Sequence, residues 1–551
     1  MLRERRVIKK LFKSYKTHEQ RKENRKELLL GLISGILMGL SFPPIPLPYF
    51  IFFAMVPYLF VLERRKTLSE VNRFTYFTIF FFNLTTLYWV GSWTKDADPF
   101  LMVAGTVLMF FNPLVFLIPS TFFFYTRKYI TKDNAIFLLP WFWLFYEYIY
   151  SITDFKFPWL SLGNSLPYFN SYIQIADIIG VYGLTVLILY SNIFLYKIVK
   201  KYILNKKVSY SFVILFLVIL VVPLVYGVVK VNNYVPSNAR VRVGLVQPNL
   251  NPNKKWELGN LNEQIDLYLS LSEKSIKDNA EIIILPETAL PVYLLSSSYY
   301  KEAQRLRNFV DSNKVLLITG MPHANYFTDS ESAPQDAKPI KNSKYLYTSY
   351  NAILFFAPNK SVEQYGKIKL VPFGEKVPLV DIIPVLGKWI KWNVGISSWN
   401  TGKDTLVYGM QLNEKSVNVG GVVCIESIYP DFISAFVDKG AEFIAVVTND
   451  SWYGNSSGPY QHKEMSVLRA VENGRAVVRA ANGGISCIIN PIGETISATK
   501  MFTRGVLTGD VELRSDKTFF TEYPLLLPYL SVMIFLFVII RVLIKKVIKH
   551  K

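Results

Sequence analysis

Eight apolar stretches constrain the fold of this chain more than any other feature of its sequence. They lie at about 28–42, 47–62, 74–93, 99–125, 135–152, 171–196, 209–229 and 523–544. Most of them approach the ~20 residues that a helix needs to cross a bilayer. The sequence therefore predicts an α-helical membrane bundle of eight transmembrane helices, with seven of them within residues 28–230 and the last within residues 522–551.

The basic residues of the connections predict how these helices are oriented. Eleven Lys and Arg crowd residues 1–27, and further basic clusters fall at 63–73, 127–134 and 197–208. With eight spans these segments share one side of the membrane, which the positive-inside rule makes the cytoplasm. We therefore expect a multi-pass protein of a bacterial inner membrane, with residues 1–27 and the basic tail in the cytoplasm and residues 231–521 in the periplasm. Because the net charge of +20 follows this topology, no nucleic-acid binding is expected.

Residues 231–521 alternate predicted strands and helices. Strands are predicted at 241–247, 281–285, 315–319, 352–356, 417–423, 443–447, 484–489 and 505–511, and helices at 260–277, 300–312 and 461–473. This alternation is typical of one large α/β domain with its own core. The polar residues 324–347 predict a surface loop within that domain.

Two polar residues follow predicted strands of the external domain, and a third lies in a motif between them. Cys424 ends the apolar run 420–423, Glu287 closes the run 282–286, and Lys367 lies in the segment 365–375. The carboxyl ends of strands are where α/β folds place their chemistry. A free thiol with a pKa of ~8.5 is mostly protonated at neutral pH, so it needs a base or a cation nearby to act as a nucleophile.

Longer motifs around these residues support a family resemblance. The chain resembles the apolipoprotein N-acyltransferases, the integral membrane members of the nitrilase superfamily, over nearly its whole length. The matching motifs are Leu285-Pro286-Glu287-Thr288, Tyr365-x-Lys367 with Val371-Pro372-Phe373-Gly374-Glu375, Cys424-x-Glu426, Thr448-Asn449-Asp450-Ser451-Trp452-Tyr453-Gly454 and Gly458-Pro459-Tyr460-Gln461-His462. One position departs from the family pattern, because Ile425 stands where the family usually has Tyr after the nucleophile.

The resemblance implies a nitrilase-like α-β-β-α sandwich for residues 231–521 and an acyl transfer in two steps. The implied donor is a membrane phospholipid, and the implied acceptor is the α-amino group of the N-terminal S-diacylglyceryl cysteine of an apolipoprotein. The acyl chain would pass through a thioester on Cys424. Too few His and Cys cluster for a zinc site, and no phosphate-binding glycine loop stands out, so we expect no metal and no cofactor. We expect a monomer.

The resemblance also implies a role for each residue of the catalytic site. Cys424 is the nucleophile, Glu287 is the general base, and Lys367 stabilises the thiolate and the oxyanion. Glu375 is expected to orient Lys367. The backbone N–H of Ile425 is expected to supply a second oxyanion donor, because it survives the change from Tyr.

Glu426 and four tryptophans are the remaining predicted site residues. Glu426 is expected to help position the acceptor amine. Trp389 and Trp392 stand beside lysines in the segment 377–399, a pattern typical of anchors at the membrane interface. They predict an arm that dips into the outer leaflet. Trp256 matches a family position near the active site, Trp452 belongs to the motif at 448–454, and both are predicted to bind substrate.

Other assignments remain open from the sequence. Cys424 and Cys487 are the only cysteines, so a structural disulfide competes with catalysis. His462 is the alternative activating group, as in Cys–His enzymes. Glu147 and Asp177 lie inside predicted spans, where they are either functional or hydrogen-bonded structural groups. For the protein as a whole, a membrane-tethered amidase acting on small amides and a catalytically silent binding module compete with acyl transfer.

Overall fold

The apolar stretches of the sequence are helical in the structure. This computed structural model describes residues 18–93, 99–252, 261–328, 332–383, 399–412 and 415–550. Before residue 233 its α-helices are α1 (His18–Leu40), α2 (Val56–Arg64), α3 (Leu68–Leu87), α4 (Pro99–Val115), α5 (Leu117–Tyr129), α6 (Leu139–Ile152), α7 (Asn170–Ile173), α8 (Ala176–Asn205) and α9 (Tyr210–Asn232). Each of the first seven predicted spans overlaps at least one of these helices.

Five helical segments among the described residues are long and apolar enough to cross a membrane. They are Leu101–Tyr129, Ala135–Ile152, Ala176–Asn205, Tyr210–Asn232 and Leu526–Ile548. The other three predicted spans coincide with α1, with α2 and the short 3-10 helix Pro48–Phe52 before it, and with α3. The membrane bundle is therefore supported, while the count of eight spans stays a prediction.

Two β-sheets form the centre of the external domain. The strands are β1 (Arg240–Gln247), β2 (Ile282–Leu285), β3 (Leu316–Phe327), β4 (Lys338–Pro339), β5 (Leu346–Phe356), β6 (Glu363–Gly366), β7 (Val407–Leu412), β8 (Lys415–Val423), β9 (Phe443–Thr448), β10 (Ala476–Ala481), β11 (Cys487–Ile489), β12 (Thr495–Ala498) and β13 (Gly505–Glu512). The first sheet has the order β13-β1-β2-β3-β5-β4 with β6 paired to β5, and the second has the order β12-β11-β10-β9-β8-β7.

The two sheets pack face to face and carry helices on their outer surfaces. Gly421 of β8 lies so close to Ile353 and Phe355 of β5 that an added Cβ would be 3.0 Å from their side chains. On the outside of the first sheet lie α10 (Leu261–Lys277) and α11 (Tyr300–Asn313). On the outside of the second lie α12 (Pro430–Asp438) and α13 (Ser457–Asn473). This is the predicted α-β-β-α arrangement.

Helix α13 lies between the second sheet and the membrane bundle. Its Gln461 side chain accepts hydrogen bonds from the indole N–H groups of Trp89 (3.1 Å) and Trp159 (2.7 Å), and its amide donates to the carbonyl of Thr86 (3.2 Å). All four groups are buried, so the hydrogen bonds replace water that these polar atoms have lost. The α/β domain is therefore fixed to the bundle through these polar contacts.

A second contact joins α13 to the bundle at a break in α8. Gly180 has φ +61, a backbone conformation that favours glycine, and an added Cβ there would collide with the ring of Phe520. The break leaves the N–H of Val181 free to donate to Glu472 Oε1 at 2.8 Å. Glu472 also pairs with Arg469. The last helices, α14 (Phe519–Glu522) and α15 (Leu526–His550), then return the chain to the bundle.

The two carboxylates inside predicted spans are hydrogen-bonded to protein groups. Glu147 of α6 accepts from the indole of Trp143, the N–H of Leu162 and the hydroxyl of Thr185, each at 3.1 Å. Asp177 of α8 accepts from Tyr226 and from Lys230 of α9, both at 2.7 Å. These contacts favour the structural alternative for both residues, because each carboxylate ties neighbouring segments together.

Candidate active site

The predicted catalytic residues come together because the strands before them end at one place. Glu287 follows β2, Lys367 follows β6, and Cys424 follows β8. All three line one cavity of about 430 Å³. The sequence prediction of a shared site is therefore matched by the geometry of the strand ends.

Cys424 sits at a tight turn between β8 and the 3-10 helix Cys424–Ile428. Its φ of +53 is a left-handed conformation that is uncommon outside glycine. Two hydrogen bonds hold this turn. Glu426 Oε2 accepts from the N–H of Val423 at 2.8 Å, and the hydroxyl of Ser427 donates to the carbonyl of Cys424 at 2.8 Å. The turn directs the cysteine into the cavity, while the side chain of Ile425 is buried in the hydrophobic core.

Lys367 is held by two carboxylates and one amide. Its Nζ lies 2.8 Å from Glu375 Oε1 and 3.4 Å from Glu287 Oε1. Asn351 of β5 donates through its amide to both of these oxygens, at 2.8 Å each. Glu375 is held in turn by the N–H of Val371 at 2.8 Å. This network supports the expectation that Glu375 orients Lys367.

Asn351 is a site residue that the sequence prediction missed. Its backbone carbonyl also accepts a hydrogen bond from the N–H of Lys367 at 2.8 Å. Asn351 therefore contacts the lysine directly through the main chain and indirectly through the two carboxylates. The signal that was present is an asparagine directly before the apolar run 352–356, because a buried amide needs hydrogen-bond partners. In this strand those partners are the two glutamates of the site.

Burial and the neighbouring charges have opposing effects on the pKa values of Lys367 and Cys424. Burial lowers the pKa of Lys367, but Glu375 and Glu287 outweigh it, and the net effect raises that pKa and keeps the lysine charged. For Cys424, burial and the nearby Glu287 carboxylate raise the pKa of the thiol more than Lys367 lowers it. The resting thiol is therefore protonated, and its reaction as a nucleophile requires a base that removes the proton.

Glu426 connects the lysine segment to the cysteine turn. Besides the N–H of Val423, its carboxylate accepts from the hydroxyl of Tyr365 (2.8 Å) and from the N–H groups of Ile368 (2.7 Å) and Lys369 (3.1 Å). These four donors surround a fully buried side chain. We therefore expect Glu426 to act by holding the two segments together.

His462 belongs to a buried cluster behind Cys424. Its Nδ1 lies 2.8 Å from Asp450 Oδ1, and Asp450 Oδ2 pairs with Arg479 at 3.0 Å. Its Nε2 lies 3.0 Å from the Ser427 hydroxyl and 3.1 Å from the Cys424 carbonyl. The donor atoms of Cys424, Asp450 and His462 all lie within 4.8 Å of one another, as in a metal site. However, both ring nitrogens already have protein partners, which compete with any metal ion.

Apolar and aromatic residues complete the cavity. One wall belongs to the membrane helix α4 and consists of Leu101, Val103, Ala104, Val107, Leu108 and Phe111. Aromatic side chains of the external segments face it, among them Phe155, Phe157, Trp399, Trp452 and Tyr453. Trp452, which is predicted to bind substrate, lines the cavity, and so does Trp399. Trp256, Trp389 and Trp392 lie outside the described residues.

The disulfide alternative is not supported by the described residues. Both cysteines are free thiols, and Cys487 is fully buried in β11. Cys487 pairs along the ladders with Arg479 of β10 and Ala498 of β12. Its position is that of a small core residue.

Comparison with known proteins covers both halves of the chain. Residues 34–194 match the family described as apolipoprotein N-acyltransferase N-terminal domain, and residues 242–516 match the family described as carbon-nitrogen hydrolase. The apolipoprotein N-acyltransferase of Chlorobaculum tepidum is 34% identical over 92% of this chain and 94% of its own length. Those of Geobacter metallireducens and Rickettsia bellii are each 31% identical, over 91% and 95% of this chain and 92% and 98% of their own.

The fold and the site define a carbon-nitrogen hydrolase domain joined to a bundle of apolar helices. Glu287, Lys367 and Cys424 lie in the hydrolase part, and α4 supplies part of the cavity wall. The alignments with these relatives include both parts and cover nearly the full length of each relative. The chain belongs to the apolipoprotein N-acyltransferase family.

Proposed function

We propose that this protein transfers an acyl chain from a membrane phospholipid to the α-amino group of the N-terminal S-diacylglyceryl cysteine of apolipoproteins. One observation carries the proposal. The cavity that contains Cys424, Glu287 and Lys367 is walled on one side by α4, whose Val103 and Val107 are more than half exposed on the bundle surface. A thiol nucleophile thus faces an apolar surface that lipid would cover.

The first step acylates the enzyme. Glu287 accepts the thiol proton, and Cys424 Sγ attacks the ester carbonyl carbon of the phospholipid. Lys367 and the N–H of Ile425 stabilise the oxyanion of the tetrahedral intermediate. When the intermediate collapses, the carbon–oxygen ester bond breaks, and the lysophospholipid alkoxide leaves with the proton from Glu287. The product is a thioester on Cys424.

The second step transfers the acyl chain to the acceptor. The neutral α-amine attacks the thioester carbonyl, Glu287 accepts a proton from the amine, and the carbon–sulfur bond breaks. The thiolate then regains the proton, and an amide remains on the lipoprotein. Because water would hydrolyse the thioester, the apolar wall and the aromatic rings favour transfer by excluding it.

The proposal also covers the location of the protein and the tryptophans that would contact the membrane and the substrates. We place the protein in the bacterial inner membrane as a multi-pass monomer, with the catalytic domain in the periplasm, where the basic connections orient it. Trp389 and Trp392 would anchor the catalytic domain at the membrane interface, and Trp256 and Trp452 would contact the substrates. No cofactor enters either step.

A membrane-tethered amidase is the second candidate, because it would use the same three catalytic residues. A small soluble amide gains nothing from a cavity wall made by a membrane helix. Hydrolysis of short acyl amides in detergent distinguishes the two functions. An amidase turns them over at rates comparable to its best substrate, whereas an acyltransferase should prefer long-chain lipid donors.

The covalent intermediate provides the direct test. Incubation with phospholipid alone should add the mass of one acyl chain to the peptide that contains Cys424 and not to the one that contains Cys487. A diacylglyceryl-cysteinyl peptide with a free amino terminus should discharge this adduct, whereas the N-acetylated peptide should not. Persistent transfer by Cys424→Ala, or a donor-only adduct on another residue, would disprove the mechanism.

A further inference from the structure

Three lysines belong to segments that line the active-site cavity, and the catalytic steps above use none of them; they are called the rim below. Lys156 lies in the connection after α6, between Phe155 and Phe157, which both line the cavity. Lys369 and Lys376 lie on the other side, in the segment that follows Lys367. All three side chains are half-buried. The cavity that their neighbours Phe155, Phe157, Phe373 and Glu375 line has an apolar wall made by α4.

Named contacts fix these lysines relative to one another. The hydroxyl of Tyr429 donates to the carbonyl of Lys156 at 3.5 Å, and Lys369 Nζ lies 5.2 Å from the centre of the same ring. The rings of Phe155 and Phe373 lie 6.2 Å apart. The connection after α6 is thus docked against the lysine segment, which makes the rim a defined site and not a set of independent side chains.

Two of the three lysines have no ion-pair partner among the residues that the structure describes. Lys376 pairs with Asp381 at 2.6 Å, whereas neither Lys156 nor Lys369 has a carboxylate within 4.0 Å in the described part of the chain. Burial lowers the pKa of Lys156, and repulsion from Lys369 and Lys376 lowers it further, although Asp154 partly offsets this.

Half-buried cations that repel each other are stabilised by an anion bound between them. The cavity beside them has an apolar wall for hydrocarbon and a nucleophile for an ester. A ligand with an anionic group, an ester carbonyl and a hydrocarbon chain, in this order, matches the three parts of the site.

We propose that Lys156 and Lys369 bind the phosphodiester of the donor phospholipid, with Lys376 adding long-range attraction. This inference rests on the proposed function, because it names the part of the donor that the enzyme recognises. The phosphate and the ester carbonyl of a phospholipid are joined through the short glycerol backbone. A phosphate at the rim therefore holds the ester in the cavity beside Cys424. Ammonium groups contact phosphate as point charges and set no fixed geometry, so the site admits different alcohols beyond the phosphate.

The test compares donors with and without a phosphodiester. Lys156→Gln, Lys369→Gln and the double variant are assayed for acylation of Cys424 by a long-chain phospholipid and by a p-nitrophenyl ester of the same fatty acid. Each single substitution should raise the KM for phospholipid by about tenfold. The KM for the p-nitrophenyl ester should change by less than about twofold, because that donor has no phosphate for the lysines to bind. Lys360→Gln, an exposed lysine after β5, is the matched control and should change neither value.

The possible results separate this inference from the proposed function. Equal losses with both donors, or an unchanged KM for phospholipid, would overturn the phosphate site while Cys424 acylation still stands. Failure of the wild-type protein to be acylated by phospholipid, with the p-nitrophenyl ester still reactive, would overturn the proposed donor itself. Inorganic phosphate is the third arm. Weak or no inhibition by it supports a lipid headgroup site, whereas inhibition at micromolar concentrations would assign the rim to a free anion.

Discussion

Glu287 acts on Cys424 in two opposite ways. As a carboxylate beside the sulfur it raises the pKa of the thiol, together with burial, and so disfavours the thiolate. As the proposed base it removes the thiol proton when the substrate is attacked. A free thiolate in a resting enzyme is open to alkylation and oxidation, so this arrangement protects the nucleophile until the proton transfer occurs.

Replacing Glu287 by Gln should therefore separate these two effects. Turnover should fall by ~10²–10⁴-fold, the usual loss when a general base is removed. At the same time the pKa of the Cys424 thiol should fall, because the substitution removes a negative charge. The pH at which iodoacetamide alkylates Cys424 at half its maximal rate should accordingly move to lower pH, as measured by mass analysis of the Cys424 peptide.

The buried Cys487 provides an internal control, since its alkylation should stay slow in both proteins. A midpoint that moves to higher pH in Glu287→Gln would contradict the described charge balance. Near-normal turnover of the variant would instead remove Glu287 as the base and favour His462, whose ring is hydrogen-bonded to the main chain of Cys424.

At the scale of elements, α13 contacts both the helical bundle and the candidate active site. The side chain of Gln461 is hydrogen-bonded to Trp89 and Trp159 of the bundle. The ring of the next residue, His462, contacts the carbonyl of Cys424. The ring of Trp159 also packs against the ring of His462 at 5.6 Å. Two adjacent residues of one helix therefore contact the bundle and the main chain of Cys424, and we expect a displacement of the bundle to reach Cys424 through them.

Gln461→Leu tests this connection. The substitution preserves volume but leaves two buried indole N–H groups and the Thr86 carbonyl without a partner, each costing about 1–3 kcal/mol. We expect a lower Tm of the intact protein in detergent and a lower kcat with little change in KM. Gln304→Leu, a glutamine on the surface of α11, is the matched control. If both variants behave like the wild type, the contact does not couple the two halves.

The sequence predicts most of these elements, and the differences have physical causes. The polar residues 324–347, predicted as a loop, are partly strand, because β3 extends to Phe327 and pairs with β5 from Leu346 onward. Polar side chains on a hairpin at the edge of a sheet contact solvent, so the sequence of such a hairpin resembles that of a loop. The strand β10 and the helix α12 were also missed, since both are short; β10 is buried at every position, and α12 buries six of its nine residues.

At the scale of the whole molecule, the cavity is shared between the two halves of the chain. Cys424 belongs to the hydrolase domain, and α4 belongs to the bundle. The grouping of Glu287, Lys367 and Cys424 could be predicted because each of these residues lies in a contiguous motif. The α4 wall and the proximity of Lys156 to Lys369 could not, because residues far apart in sequence form them. Side chains of α4 that face the cavity are as apolar as those that face lipid.

Ala104→Trp tests the contribution of α4. An indole at this position should occupy part of the cavity beside the apolar wall and reduce the rate of acylation by long-chain phospholipids at least about tenfold. The rate of acylation by short-chain esters should fall less. Val225→Trp on α9, at another exposed position of the bundle, controls for a bulky residue at the lipid-facing surface. Equal acylation rates of the two variants for every chain length would show that α4 does not contact the acyl chain.

Because α4 forms one wall of the cavity, the proposed lipid donor would reach the site from the bilayer, and its effective concentration would be its mole fraction among the membrane lipids. Diluting the bilayer with inert lipid or detergent should therefore lower the rate even when the total amount of donor in the sample is constant. The same holds for an amphiphilic inhibitor, whose potency is set first by its partition into the membrane. Potencies measured at different lipid loads therefore become comparable only when they are expressed per lipid molecule.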